Sequence, residues 1–178
     1  MLDRDIEIMR RELLERFTED FKEELFAATI LEPDEDMPIP VVRVIYDEMG
    51  DVDDQAVAEF YFTPTTSEDD TVSFFTGIIT LQEGIPEEAL GRLYEAMSYI
   101  NFQIPCGAFA IDRGHHVLAY RLCTPMSMDM GREEIYEQMN VCAGNSAAIA
   151  DSYMGVLRDV AEEKMSIDEV KDLLGGRE

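Results

Sequence analysis

Between Ala96 and Met128 the chain carries one acid, Asp112, and two bases, Arg113 and Arg121, although 30% of all its residues are charged. Such depletion calls for burial. Within the stretch, CGAFAID and HHVLAYRLC flank Arg113-Gly114, and a two-residue turn there pairs Asp112 with His115, Phe109 with Leu118 and Ala108 with Ala119. Strand alternation then puts Phe109, Ile111, Leu118, Tyr120 and Leu122 on one face and Ala108, Ala110, Val117 and Ala119 on the other. Both faces are apolar. A hairpin with one wet side shows polar alternation, so the small alanine-rich face is expected to be covered as well, by another helix or by another subunit. Its composition favours self-association, with a covering helix of the same chain as the alternative. Arg121 interrupts the returning strand and either pairs with an acid across an interface or on a covering helix, or stands exposed at an edge.

Around this hairpin the apolar periodicity changes several times. Ile6, Met9, Leu13, Phe17, Phe21 and Leu25 recur at helical spacing, which predicts an amphipathic helix from residue 3 to about 26. Pro33, Asp34, Glu35, Asp36, Pro38 and Pro40 follow as a linker in which a helix cannot continue. Three runs rich in β-branched and aromatic residues, at 39 to 49, 55 to 63 and 71 to 81, are separated by the acidic turn segments GDVDD and PTTSEDD and read as an antiparallel meander. Gly84 and Pro86 open a second helix with Leu90, Leu93, Tyr94, Met97 and Ile100 on one face, ending near Asn101. After the hairpin, apolar residues from Arg132 onward predict a further helix, interrupted around Gly144-Asn145. Ser166 and Glu169 form a capping box for a short last helix that Gly175-Gly176 stops. The expected fold is α+β in the order α-β-β-β-α-β-β-α, a largely antiparallel sheet with helices on one face, plus a short C-terminal helix. At 178 residues one domain is expected, with residues 1–32 as helix and linker, 33–130 as sheet and central helix, and 131–178 as C-terminal helices.

Charge narrows the partners. With 39 acidic against 14 basic residues and a net charge of -25, the chain repels phosphate backbones and anionic lipid, so neither nucleic acid nor membrane is an expected partner. No run of about 18 apolar residues occurs, and the N-terminus is charged throughout, so a cytoplasmic location is expected. Cys106, Cys123 and Cys142 lack metal-site spacing and read as reduced core residues. His115 and His116 sit at the hairpin tip, where neighbouring residues point apart and do not converge on one metal. Asp51, Asp53 and Asp54 with Glu59 resemble part of a calcium loop, yet the sixth position is Ala56 and the twelfth-position Glu is missing, as also around Asp34, Glu35 and Asp36. Nucleophile elbows, phosphate loops and zinc signatures are not found. The expectation is a non-enzymatic chain without catalytic, cofactor or metal residues, while 39 carboxylates leave a carboxylate-based metal-dependent enzyme as an alternative.

The segment LYEAMSYINFQIPCGAFAIDRGHHVLAYRLCTPMSM resembles the hallmark stretch of the YbjN-like family, and IYEQMNVCAGNSAAIADSYMGVL resembles its long closing helix. In both, a helix ending near an Asn runs into a small-residue strand, a tight turn after an Asp, and a return strand with an aromatic-basic pair, here Tyr120-Arg121. The N-terminal helix and the acidic turns carry no family signature, and the last helix is an addition. This family is similar in fold to type III secretion chaperones. The resemblance implies a chaperone-like or adaptor-like homodimer that binds an extended polypeptide, with Met97, Ile100, Ala108, Ala110, Val117 and Ala119 as interface candidates, to which Arg121 is joined by its place in the strand. A regulatory or stress-response adaptor that recognises basic partners through charge is a further alternative.

Overall fold

The computed structural model describes residues 3–35, 37–50, 54–63 and 71–175. The acidic segments at 51–53 and 64–70, Asp36 and the Gly176 half of the expected helix stop lie outside them. The chain is an α+β fold with helices α1 (Asp3–Glu23), α2 (Leu90–Gln103), α3 (Arg132–Ala161) and α4 (Ile167–Gly175). Its strands are β1 (Ala27–Leu31), β2 (Val41–Met49), β3 (Asp54–Thr63), β4 (Val72–Gln82), β5 (Ala108–Asp112) and β6 (Val117–Ser127). They form one antiparallel sheet in the order β1-β2-β3-β4-β6-β5, so the meander is extended by a hairpin whose return strand lies against β4 and whose first strand becomes an edge.

Two compact units share these elements, one comprising residues through Tyr46, Val57–Ile78 and Leu122–Asn145, the other Asp47–Ala56, Ile79–Arg121 and Ser146–Glu178. In the first unit Phe17 of α1 is 1% exposed and meets Phe60, Phe75 and Tyr136 edge-on, with centroids 5.4, 5.8 and 6.4 Å away. The Tyr136 hydroxyl donates to the Asp20 carboxylate while the Arg16 guanidinium lies 3.8 Å above its ring. Burial, foremost, and this bond hold the phenol proton on, to about 12. In the second unit Phe109 packs on Tyr120 and on Tyr153 of α3. There Arg92 closes the C-terminus of α3, donating from Nε to the Val160 carbonyl at 2.8 Å and from Nη2 to that of Ala161 at 2.7 Å.

Strand β1 is an element the apolar pattern does not announce. The i, i+4 series of α1 runs on through Leu25, but the helix ends at Glu23, and Leu25 is 93% exposed in the left-handed region at φ 70°. The Phe26 N–H returns to the Phe21 carbonyl at 2.9 Å, and the two rings pack together, a Schellman closure with leucine where glycine is usual. That turn reverses the chain directly into Ala27–Leu31, which pairs antiparallel with β2 from Ala27↔Ile45 to Leu31↔Val41.

Helix α3 runs unbroken through Gly144-Asn145, correcting the expected interruption. Both residues are exposed, and a Cβ at Gly144 would meet nothing within 4 Å, so glycine there costs helix propensity without forcing a break. The capping box of α4 is present, with the Ser166 N–H donating to Glu169 Oε2 at 2.8 Å and the Glu169 N–H to Ser166 Oγ at 3.3 Å.

Candidate functional site

The hairpin that breaks the charge pattern belongs wholly, on its β5 side, to the second unit, and its register is Ala108↔Arg121, Phe109↔Tyr120, Ala110↔Ala119, Ile111↔Leu118 and Asp112↔Val117. This corrects the expected register by two residues. Asp112 is the cause. Its Oδ1 accepts the N–H groups of Gly114 at 2.8 Å and His115 at 3.2 Å, building an Asx turn, and His116 takes φ 55°, so four residues rather than two span the tip. A shift of two preserves the faces, because the side-chain period of a strand is two.

Phe109, Leu118, Tyr120 and Leu122 accordingly point into the core and are buried. On the opposite face Ala110 and Arg121 are exposed, while Ala108, Val117 and Ala119 are half-buried. Among the described residues no ion pair engages Arg121. Cys123 continues this face and is exposed, and Cys106 and Cys142 are half-buried, so the three free thiols are not core residues as the sequence suggests. Met97 and Ile100 occupy a different place from the other interface candidates. They are 4% and 0% exposed and are buried residues of α2, so they are not open to a partner.

The outer edge of β5 is occupied by a side chain. Asn101 Nδ2 donates to the Phe109 carbonyl at 3.0 Å, and its Oδ1 accepts the Phe109 N–H at 2.8 Å. One amide thereby satisfies both outward groups of an edge residue, as a neighbouring strand would, and blocks strand addition at that point. Sequence reading places this Asn at the helix end without its bond. A polar amide closing an apolar helix face beside a strand is the signal that could have shown it. What remains open is the alanine face.

Beneath the face the chain is tightly fixed. The Tyr120 hydroxyl donates to the Cys106 carbonyl at 2.9 Å, over Gly107 at φ 65°. At the tip, His116 Nδ1 meets the Ile85 carbonyl at 2.9 Å and the Ile85 N–H donates to the His116 carbonyl at 3.0 Å. His115 Nδ1 instead donates to Asp112 Oδ2 at 2.8 Å, so the two imidazoles serve different partners. That bond raises the His115 pKa above its ordinary 6.5 and lowers that of Asp112 below 3.8. The raised histidine favours the folded turn at pH below its ordinary value and loses that contribution as pH rises through the raised one; the lowered carboxylate does the reverse on the acid side. The ion pair therefore acts between the two shifted values. An NMR titration should find His115 above 6.5, returning toward it in Asp112→Asn; an unchanged midpoint would remove the pair as the cause.

Among the described residues no group of three or more His, Cys, Asp or Glu side chains is placed to hold a metal ion, and no helix is long and apolar enough to cross a membrane. The Asp51–Asp54 segment lies largely outside those residues.

No family model and no curated protein matches the chain. The crystal structure of YbjN, a candidate transcription regulator from E. coli, is similar to it with a TM-score of 0.43 and 11% identity, over 84% of this chain and 92% of that one.

Proposed function

We propose that this protein is a non-catalytic binding module that associates with a second copy of itself through the alanine face of the β5–β6 hairpin, and in that form acts as a chaperone-like or adaptor-like holder of an extended polypeptide. One observation carries the reading. The face bearing Ala108, Ala110, Val117 and Ala119 stays open or half-open in a strand pair whose other face is buried at Phe109, Leu118, Tyr120 and Leu122 and half-buried at Ile111, in a charge-poor stretch of a chain with net charge -25. Small side chains let two sheets approach closely, and an exposed arginine at the margin, without an ion pair among the described residues, suits an interface anchor. The capped edge at Phe109 favours face-to-face association over strand addition.

Hydrogen exchange at rising protein concentration tests the placement. Added protection should gather in Ala108–Asp112 and Val117–Arg121. Protection confined to the exposed ends of α2 and α4, where Phe102 and Leu173 lie, would move the interface and defeat the proposal. A partner chosen by charge is told apart by salt, since its complex weakens as salt screens attraction between opposite charges.

A further inference from the structure

Prolines of the connection between β1 and β2 and residues of α1 together line an open-mouthed cavity of about 570 Å³ within the first unit. Leu14, Pro33, Pro38, Pro40 and Phe62 form an apolar wall, and the volume falls in the range of small-molecule sites, roughly 300–1,000 Å³. Two arginines of α1 also line it, and they differ in one respect. Arg11 is committed to carboxylates, its two Nη groups donating to Glu32 at 2.7 Å each and its Nε to Glu15 at 2.7 Å.

Among the described residues Arg10 has no such partner. Its Nε donates to the buried Ser73 hydroxyl at 2.8 Å, a neutral acceptor that fixes one side of the guanidinium. Nη2 is withdrawn from solvent and has no hydrogen-bond acceptor among the described residues. A charged donor out of reach of both water and acceptor is costly, more so than a neutral one. A carboxylate that reaches Nη2 from the adjoining cavity relieves that cost, because an ionised acceptor makes a strong, charge-assisted bond to a guanidinium N–H.

The surroundings narrow the ligand. Glu7 lines the same cavity, and the chain as a whole is at -25, so a second negative charge on the ligand is repelled. The proline and phenylalanine wall calls for a hydrocarbon body. We infer that this cavity binds an apolar monocarboxylic acid, with its carboxylate on Arg10 and its hydrocarbon along the proline wall. The site is independent of the hairpin face and adds a small-molecule input to a binding module.

Titration of the full chain with octanoate, followed by methyl NMR, tests this. Saturable shifts are expected at Leu14 and Ile39, with octanol, methyl octanoate and octanedioate each binding at least about tenfold more weakly. Arg10→Gln should weaken octanoate by about tenfold or more and leave octanol unchanged. Equal binding of the acid and its methyl ester overturns the inference, as does an undiminished affinity in Arg10→Gln or saturable shifts confined to Ala110 and Ala119. If Arg10→Gln does not fold, the comparison of acid with ester in the natural chain decides alone.

Discussion

Gly107→Ala should be the most damaging small substitution in the hairpin, lowering stability by roughly 3–5 kcal/mol, from the left-handed backbone and the steric overlap together. Gly107 stands at φ 65°, and a Cβ there would lie 2.2 Å from the Tyr120 hydroxyl oxygen, 2.4 Å from the ring carbon bearing it and 2.8 Å from the Arg121 carbonyl oxygen. The ring has nowhere to go. Tyr120 is fully buried, its hydroxyl is bonded to the Cys106 carbonyl, and its Cα is paired with Phe109 in the hairpin. At roughly 2–4 °C per kcal/mol for a chain of this size, thermal unfolding should begin about 10 °C lower. Adding Tyr120→Phe should recover little, since the ring carbon and the backbone oxygen remain too close. A Gly107→Ala variant within about 0.5 kcal/mol of the natural chain would show that the tyrosine does not hold this position.

Phe17→Ala should cost about 3–5 kcal/mol in denaturant unfolding. The side chain is 1% exposed and touches Phe21, Phe60, Phe75 and Tyr136, so its removal opens a cavity whose walls are rings already packed on one another, with Phe60 stacked on both Phe21 and Phe75. Such walls do not collapse inward readily. Phe17→Leu keeps most of the volume and should lose only about 1–2 kcal/mol. The exposed Ile8 on the same helix provides the contrast, since Ile8→Ala should change stability by no more than about 0.5 kcal/mol. Equal losses at Phe17 and Ile8 would contradict the packing described for α1.

Sequence reading succeeds where a period is long and fails where a local bond decides. The faces of α1 and of the hairpin follow from spacing, and both are seen in burial. Strand β1 is hidden because Phe17, Phe21 and Leu25 continue a helical series past Glu23, while the stop comes from an exposed leucine in a glycine-like conformation. The hairpin register turns on which groups Asp112 accepts, a choice between two short turns that composition does not resolve. Cys123 was legible in principle, since it shares the odd-numbered side of β6 with Ala119 and Arg121; an apolar neighbourhood suggested burial where alternation puts exposure. The Arg10 cavity has no local signal at all, because it is assembled from a helix and a loop more than twenty residues further along the chain.

Sedimentation velocity over a wide range of protein concentration, on the natural chain and on Ala110→Glu, tests the central claim most directly. Ala110 is exposed, so the variant should fold, and Val141→Glu, at a 61% exposed site on α3, controls for the added charge. The account predicts a dimer that tightens as salt is raised, because two chains of net charge -25 repel until screening shortens the interaction to about 8 Å at physiological ionic strength. Ala110→Glu should sediment as a monomer and Val141→Glu as the natural chain does. A natural chain that stays monomeric at every concentration and salt, or a dimer untouched by Ala110→Glu, would contradict it.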